Sequence, residues 1–215
     1  MVPKKTPKDQ NELAKKEMRV LIRSRLSALP LEFHDAAGEK IQDRAKALFQ
    51  DFFKSEELTS PKIMVYVSVP GEVSTRKLLD EFLNKDSVWI PRCHGDELEA
   101  VSIRSLDNLR LGMFGIPEPP RSLLPLPEPR SLDVVVVPGV AFDRNGRRLG
   151  RGKGFYDRFL SRLGETPLRV GLAFDAQVVD ELPQSEHDQS VDVVITETSL
   201  YLSSRKPSLR FPSLS

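Results

Sequence analysis

The sequence has few cysteines and histidines and no long apolar run, features that disulfide-bonded secreted proteins, structural zinc sites and membrane helices require. Cys93 is its one cysteine in 215 residues, so no disulfide forms within the chain, as expected in a reducing compartment. One cysteine and three histidines also supply too few ligands for a cysteine-rich structural zinc site. Residues 1–10 are rich in lysine and lack an apolar segment, which predicts that they are not a signal peptide. No run approaches the roughly 20 apolar residues of a membrane helix. We therefore expect a cytoplasmic protein without a membrane partner.

An excess of charge of one sign is also missing. The 32 Lys and Arg residues nearly balance the 31 Asp and Glu residues, which leaves a formal net charge of +1 at pH 7. This balance does not favour bulk binding to nucleic acid or to a membrane surface. Any positive charge that serves a ligand must therefore be local. The chain length and the 39% of hydrophobic residues fit one ordinary globular domain.

Apolar runs with helical spacing alternate along the chain with short strand-like runs. This alternation predicts an α/β fold layered around a mostly parallel sheet. We expect a single domain at residues 11–202, with polar tails at 1–10 and 203–215. Six prolines predict an irregular connection across residues 116–130. The expected helices cover residues 11–29, 35–54, 75–84 and 154–163, and the expected strands cover residues 63–67, 88–90, 98–103, 133–137, 168–174 and 191–196.

A cation-rich segment follows the clearest buried strand. We call residues 143–157 the glycine loop, because this stretch holds four glycines and five cationic side chains between two acids. Glycine lets backbone N–H groups approach a ligand, Arg and Lys bind phosphate oxygens, and a following helix N-terminus favours anions. The pattern is neither a Walker A motif nor a dinucleotide-binding fingerprint. It predicts a polyphosphate site; the alternative is a basic surface turn in which Lys153 and Asp157 merely pair across one helical turn.

Acidic residues in two places are candidates for a metal site. Asp157 lies one helical turn after Lys153, within reach of a metal bound to the same phosphates, and Mg²⁺ usually binds through one or two carboxylates plus phosphates. The second place is the segment 186–192. For Glu186, His187 and Asp188, a solvated acidic loop is the favoured interpretation. Asp192 differs, because an acid at the entrance of an apolar strand needs a partner, which a metal or a cation of the glycine loop would supply.

Glu72 and the pair Cys93-His94 each allow a functional and a structural interpretation. Glu72 follows the first expected strand, and ligand contacts concentrate at the carboxyl ends of strands in such sheets. The same turn also fits a helix cap, with Ser74 or Thr75 as N-cap. Cys93 and His94 look like a nucleophile and its base, but neighbouring side chains on a strand point to opposite faces. We therefore expect Cys93 to be a packing residue or an inert thiol.

Several ordered motifs together resemble the 5-formyltetrahydrofolate cyclo-ligase family over roughly residues 13–202. The most specific part is Pro138-Gly139-Val140-Ala141-Phe142-Asp143, which continues into Arg148-Leu149-Gly150-Arg151-Gly152-Lys153-Gly154-Phe155-Tyr156-Asp157-Arg158. The supporting motifs are Lys15 to Arg19 with Arg25-Leu26, Glu72-Val73-Ser74-Thr75, Gly115-Ile116-Pro117-Glu118-Pro119 and Val191-Asp192. Two departures are visible: Phe114 stands in the region where some relatives have Trp, and Phe155 where many have Tyr.

The resemblance implies a three-layer α/β fold and a reaction that depends on ATP and Mg²⁺. In that reaction 5-formyltetrahydrofolate is converted to 5,10-methenyltetrahydrofolate through a phosphorylated formyl group, with release of ADP and phosphate. The implied partners are ATP and 5-formyltetrahydrofolate, possibly polyglutamylated, with no nucleic acid, and the implied assembly is a monomer or weak dimer.

The resemblance also carries site residues over, position by position. The implied catalytic residues are Lys153, Arg151 and Tyr156. The implied ATP contacts are Lys15, Lys16, Arg19, Arg148, Leu149, Gly150, Arg151, Gly152, Lys153, Gly154, Phe155 and Tyr156. The implied substrate contacts are Val67, Glu72, Arg151, Gly152, Lys153, Gly154 and Phe155, with Glu72 accepting from a pterin N–H edge. The implied magnesium-linked acids are Asp157 and Asp192.

Two other functions stay open on the sequence. A nucleic-acid-binding module would use the glycine loop with Arg205, Lys206 and Arg210, although aromatic stacking residues among those cations are sparse. A phosphosugar-type enzyme on a similar scaffold is the other alternative, because a fold does not fix a function.

Overall fold

The computed structural model describes residues 6–85, 87–206, 209 and 211, and predictions for the remaining residues lie outside this range. The α-helices are α1 (Pro7–Ser27), α2 (Leu31–Ser55), α3 (Arg76–Leu83) and α4 (Phe155–Leu163). The strands are β1 (Ile63–Met64), β2 (Val88–His94), β3 (Glu97–Ser102), β4 (Arg110–Leu111), β5 (Pro117–Glu118), β6 (Val134–Val137), β7 (Ala141–Asp143), β8 (Arg148–Leu149), β9 (Leu168–Leu172), β10 (Val178–Val179), β11 (Val193–Ile195) and β12 (Leu200–Leu202).

A seven-stranded sheet lies at the centre, in the order β12-β11-β9-β6-β1-β2-β3. The five strands from β11 to β2 run parallel to their neighbours, whereas β12 and β3 pair antiparallel at the two edges. The predicted α/β fold around a mostly parallel sheet is confirmed. The antiparallel edges come from short reversals of the chain, after β2 and after β11.

The valines of β6 show how one strand serves two apolar cores. Val134 and Val136 pack with apolar residues of α1, α2 and α3 on one face of the sheet. Val135 and Val137 pack with residues of α4 on the other face. Because successive side chains of a strand point to opposite faces, an unbroken apolar run is what a strand between two helical layers requires. The fold therefore has three layers.

The chain ends are more structured than the sequence predicted. Residues 7–10 belong to α1 instead of a tail, since Thr6 caps the helix: its hydroxyl accepts from the Asp9 N–H at 3.2 Å, and the Asp9 carboxylate accepts from the Thr6 N–H at 3.0 Å. Pro7 begins the helix, where its missing N–H is not needed. At the other end, β12 extends the sheet and Ser203 is buried beyond it.

The proline-rich segment is mostly irregular, as predicted, but it is anchored to the sheet. Its first residues form β5, which pairs antiparallel with β4. Further along, the Leu126 N–H donates to the Ala100 carbonyl of β3 at 2.7 Å. The segment therefore passes over the β2–β3 end of the sheet. Among the described residues, no helix combines the length and the apolar character that crossing a bilayer would require.

A second, three-stranded sheet in the order β10-β7-β8 carries the beginning of the glycine loop. It packs onto the central sheet through Phe142, which is fully buried. Cβ atoms added at Gly139 and Gly171 would both lie 2.5 Å from atoms of the Phe142 ring. The ring is therefore clamped between two glycines, and this contact fixes the glycine loop relative to the central sheet.

The Phe142 contact gives a stability prediction. Gly171→Ala should lower the free energy of unfolding by about 1–3 kcal/mol, because the new methyl group overpacks the Phe142 ring. Gly38→Ala is the matched control, since a Cβ there meets nothing closer than 4.0 Å within α2, and we expect it to be neutral or slightly stabilising. Urea unfolding of both variants measures the difference; equal stabilities would contradict the clamp.

Candidate active site

The glycine loop begins as a hairpin and ends at the first turn of α4. The buried Asp143 carboxylate shapes the hairpin by accepting from the N–H groups of Asn145 at 2.9 Å and Arg147 at 3.0 Å. Gly152 and Gly154 then adopt positive φ angles of 97° and 70°. These backbone angles are the ones that side-chain-bearing residues rarely take, so the glycines are needed for the path of the loop.

Arg148 and Asp157 close the base of the loop. The Arg148 guanidinium donates to the Asp157 Oδ1 at 2.6 Å and to the Pro138 carbonyl at 3.2 Å, and its side chain is only 3% exposed. Leu149 is buried in the core. The alternative interpretation, in which Asp157 merely pairs with Lys153, is not what the structure shows, since the cationic partner of Asp157 is Arg148. Arg148 and the Leu149 side chain therefore hold the loop in place.

Helix α1 places one of its three predicted cations against the loop. The Arg19 Nε donates to the Gly150 carbonyl at 2.9 Å, and a Cβ on Gly152 would lie 3.5 Å from its guanidinium. Lys15, one turn earlier on the same face, is buried against the segment that holds Ser185 and Asp188. Lys16 is exposed on a different face of the helix. The structure thus brings Arg19 to the loop, places Lys15 beside the neighbouring segment and leaves Lys16 outside.

The segment 186–192 contributes a different acid from the one predicted. Lys15 donates to the Asp188 Oδ2 at 2.6 Å and to the Ser185 hydroxyl at 2.7 Å. The next residue, Gln189, donates its N–H to the Asp157 Oδ1 at 3.2 Å. Asp188 therefore lies between α1 and the first turn of α4, and the solvated-loop interpretation holds for the exposed Glu186 and His187 but not for Asp188.

Asp192 has both of its oxygens occupied away from the glycine loop. Its Oδ1 accepts from the Arg205 Nε at 2.8 Å, and its Oδ2 accepts from the Arg169 N–H at 2.8 Å. The partner that the sequence required does exist, but it is a cation from beyond β12. That Asp192 is linked to magnesium stays a prediction, and each of its oxygens already accepts one hydrogen bond from the described residues.

A hydrated Mg²⁺ fits the remaining acids. No group of three or more His, Cys, Asp or Glu side chains in the described part of the chain is arranged to hold a metal by itself. Asp157 and Asp188 each keep one carboxylate oxygen, Oδ2 and Oδ1 respectively, that accepts no hydrogen bond from the described residues. Mg²⁺ bound by one or two carboxylates, phosphates and retained waters is compatible with this donor set.

An apolar cavity with a few polar groups opens beside the glycine loop. It lies between the end of the first strand, the β2–β3 hairpin, the proline-rich segment and the loop itself. Its lining residues are Tyr66, Val67, Glu72, Pro91, Cys93, Leu98, Phe114, Ile116, Pro117, Glu118, Pro138, Gly139, Arg148, Gly150, Arg151, Lys153, Gly154, Phe155, Tyr156 and Asp157. Such a cavity, with its few convergent polar groups, is typical of a small-molecule site. Most predicted loop and substrate residues meet here; Leu149, Gly152, Lys15, Lys16, Arg19 and Asp192 do not line it.

Glu72 reaches across the cavity to the loop. Its Oε1 accepts from the Arg151 guanidinium at 2.8 Å, and its Oε2 accepts from the Val69 N–H at 3.2 Å. Burial raises the pKa of Glu72, and the Arg151 charge offsets part of that rise. Thr75 is the N-cap residue of α3, one of the two predicted, but its hydroxyl donates to the Tyr66 carbonyl at 2.7 Å and makes no capping hydrogen bond to the helix.

Aromatic rings line the cavity where the loop meets the proline-rich side. Phe114 adopts a φ of 61°, unusual for a residue with a side chain, and its ring is 6.2 Å from that of Phe155. The Lys153 Nζ lies 5.9 Å from the Phe114 ring centroid. The Tyr156 hydroxyl is buried and has no hydrogen-bond partner among the described residues, and burial raises its pKa far above the usual value. An orphaned hydroxyl in a cavity wall is a place for a ligand to bond.

Two wall residues escaped the residue-by-residue prediction. Glu118 is a buried carboxylate in β5 that lines the cavity, and only its place in a family motif marked it in the sequence. Cys93 also lines the cavity, but burial raises the pKa of its thiol to about 12, so it is no thiolate at neutral pH. His94 is exposed and bonds Glu99 at 2.8 Å, which confirms that the two residues form no catalytic pair.

Comparisons with known proteins agree with one another. The profile of the 5-formyltetrahydrofolate cyclo-ligase family matches residues 11–197. The solved structure of the 5,10-methenyltetrahydrofolate synthetase of Aquifex aeolicus is similar with a TM-score of 0.76 and 35% identity, covering 91% of this chain and 96% of that one. The 5-formyltetrahydrofolate cyclo-ligases of Saccharomyces cerevisiae and Escherichia coli are 31% and 30% identical; each alignment covers 84% of this chain and 94% and 99% of the relative.

The Asp192 contacts give a prediction about the stability that its ion pair with Arg205 provides. Arg205→Ala should lower the free energy of unfolding by about 3 kcal/mol without any metal present, because it leaves a buried carboxylate without its cation. Arg76→Ala is the control, since it removes only the exposed pair with Asp80 and should cost less than about 0.5 kcal/mol. Urea unfolding in EDTA decides the point: an Arg205→Ala variant as stable as the control would reject the assignment.

Proposed function

The chain belongs to the 5-formyltetrahydrofolate cyclo-ligase family, and we propose that it catalyses the ATP-dependent cyclisation of 5-formyltetrahydrofolate to 5,10-methenyltetrahydrofolate, releasing ADP and phosphate. The observation that carries this proposal is the position of the glycine loop. Arg19 of α1 contacts the loop backbone at Gly150 on one side, and Arg151, Lys153, Phe155 and Tyr156 line the apolar cavity on the other. One loop therefore serves both a polyphosphate and a flat apolar ring system.

The reaction needs positioning and charge stabilisation from the protein. The formyl oxygen of the substrate attacks the γ-phosphorus of ATP, and ADP leaves. N10 then attacks the activated formyl carbon, loses its proton, and the former formyl oxygen departs with the phosphate. A formamide oxygen is a poor leaving group until it is phosphorylated, so no covalent enzyme nucleophile is required. Holding the two reactants in line and stabilising phosphoryl charge are the main contributions.

Each predicted loop residue takes a part in this scheme. We propose that Lys153 and Arg151 stabilise the transferring phosphoryl group, and that the N–H groups of Gly152 and Gly154 approach the phosphates. Arg151 is oriented by Glu72 at 2.8 Å. The buried Tyr156 hydroxyl, which lacks a protein partner among the described residues, donates to the substrate or the phosphoryl group. Arg148 supports the loop from below.

The nucleotide and its metal fit the other side of the loop. We propose that Lys15 and Arg19 bind ATP phosphates and that Lys16 does not, since it is exposed on a different face of α1. Asp157 and Asp188 are the proposed holders of Mg²⁺, in place of the pair Asp157 and Asp192. When bound, Mg²⁺ supplies positive charge to the β- and γ-phosphate oxygens.

The folate fits the apolar cavity. We propose that the pterin lies among Val67, Phe155 and the other apolar walls, and that Phe114 serves as the aromatic surface that some relatives provide with Trp. The cytoplasmic location, the monomeric or weakly dimeric state and the polyglutamate chain of the substrate remain predictions.

The competing functions have less support. Arg205 binds Asp192 and Glu165, and the Lys206 ammonium donates to the Thr166 carbonyl, so these cations are already engaged within the fold. Arg210, the third cation of a nucleic-acid surface, lies outside the described residues. The mainly apolar cavity suits a pteridine ring better than the polyol of a phosphosugar.

The activity itself is the first test. Purified protein with Mg²⁺ and both substrates should generate the absorbance of methenyltetrahydrofolate and one equivalent of ADP per turnover, and omission of ATP should abolish the signal. No product with all three components present would reject the proposed function.

Lys153→Ala tests the role of the loop. Loss of one preorganised cationic donor should reduce kcat by about a hundredfold or more. Arg144→Ala is the matched control from the same glycine-rich stretch, because the Arg144 guanidinium is exposed and lies 3.9 Å from Asp180. We expect its kcat within about twofold of the unmodified protein, as for other surface substitutions. Equal kcat values for the two variants would remove Lys153 from the mechanism.

A further inference from the structure

Glu118 stands out in the cavity wall as a buried carboxylate with no cationic partner among the described residues. Its side chain lies in β5 and is 7% exposed, and its Oε1 accepts from the Cys93 N–H at 3.3 Å. The Cys93 thiol is its other neighbour. No Lys or Arg of the described residues forms an ion pair with it within 4.0 Å. A buried acid held only by neutral donors is costly unless another group completes its bonding.

Two arginines near Glu118, Arg92 and Arg121, form hydrogen bonds with other groups. Arg121 donates to the Cys93 carbonyl at 2.7 Å, and Arg92 binds Glu99 at 2.7 Å. Arg92 also bonds the carbonyls of Pro120 and Leu123. These contacts fasten the proline-rich segment to β2, so neither guanidinium is free to turn toward Glu118.

The backbone around Glu118 leaves room for its carboxylate at this position. A Cβ on Gly112 would lie 2.3 Å from the Glu118 Oε2, and the Gly112 φ is not positive, so the glycine is required by this close approach and not by its own backbone angle. The carboxylate is thus held between Gly112 and Cys93 in the wall of the cavity, and only one hydrogen bond to it, from the Cys93 N–H, is seen among the described backbone groups.

Glu72, which the family resemblance assigns to the pterin, differs from Glu118 in its hydrogen-bond partners. Both of its oxygens are bonded, one to Arg151 and one to the Val69 N–H. A ligand that bonded Glu72 in a bidentate manner would have to displace Arg151 from it. A ligand that bonded Glu118 would not have to displace a cation of the described residues from it.

A reduced pterin offers hydrogen-bond donors for the Glu118 carboxylate. Its N3–H and its 2-amino group are adjacent donors that match the two oxygens of a carboxylate, in the manner of a guanidinium. The ring itself suits the apolar walls near Glu118, which include Leu98, Ile116 and Pro117. We propose that Glu118 recognises the 2-amino–N3 edge of the pterin, and that Glu72 instead orients Arg151 toward the glycine loop. This inference rests on the proposed function and deepens it by naming the residue that selects the pterin.

A double comparison of protein and ligand tests this assignment. Binding of 5-formyltetrahydrofolate and of its 2-desamino analogue is measured by calorimetry for the unmodified protein, for Glu118→Gln and for Glu97→Gln. Glu97 is the matched control, since it is half exposed and paired with Arg162 outside the cavity. Loss of hydrogen bonds to a charged group should raise the Kd of Glu118→Gln for the natural substrate at least about tenfold, with the Kd for ATP unchanged.

The analogue distinguishes recognition from a structural effect. In the unmodified protein and in Glu97→Gln, removal of the 2-amino group should weaken binding at least about tenfold. In Glu118→Gln this penalty should fall to about threefold or less, because the partner of the amino group has been weakened. An undiminished penalty in Glu118→Gln would overturn the proposal, and so would an unmodified protein that binds both ligands equally.

Gly112→Ala keeps the Glu118 carboxylate but shifts its position. The added methyl group must displace the Glu118 Oε2, so the Kd for folate should rise while the Kd for ATP stays constant. An unchanged Kd for folate would count against the proposal even if Glu118→Gln fails to fold.

The failure of this proposal can be told apart from the failure of the proposed function. If the unmodified protein cyclises the substrate and Glu118→Gln binds it normally, only the role of Glu118 is rejected. Unmodified protein that binds no folate rejects this role and the proposed function together.

Discussion

The buried ion pair between Arg148 and Asp157 is the interaction on which the site depends. It joins the end of β8 to the first turn of α4, at 2.6 Å and with the Arg148 side chain almost fully enclosed. Residues 150–154 connect β8 to α4, and positive φ angles at Gly152 and Gly154 give them the path that this connection takes. Because both anchors are fixed, the backbone N–H groups and cations of the loop are positioned before any ligand arrives, which lowers the entropic cost of binding.

The same region balances charge locally instead of over the whole chain. Glu72 neutralises Arg151, Asp157 neutralises Arg148, and Asp188 neutralises Lys15, while Lys153 lies beside the Phe114 ring. A concentration of cations in a small volume would otherwise repel itself in the absence of an anion. The acids thus offset the repulsion among the cations of this region. The near-zero net charge of the chain conceals this arrangement.

Long, periodic segments were the most predictable parts of the fold. The helices α1 to α4, the strand β6 and the order of the α/β pattern followed from apolar spacing, because each of these elements buries a continuous face. The strands β7, β8, β10 and β12 were missed, since two or three residues carry no period and form strands only where a partner is within reach. The start of α1 was placed too late because the capping box of Thr6 and Asp9 was not considered.

The sequence by itself determined the family through its ordered motifs. It also predicted the ligand class, because glycines, arginines and a lysine after a buried strand indicate a polyphosphate loop in any fold that accommodates them. Tertiary structure alone decided the partner of each charge. Asp157 met Arg148 and not Lys153, Asp192 met Arg205, and Asp188, which the sequence offered as a solvent-facing acid, met Lys15, which is 173 residues away in the sequence. The physical reason is that an ion pair depends on distance in space and on burial. A linear pattern fixes neither, because both arise only when distant segments pack against one another.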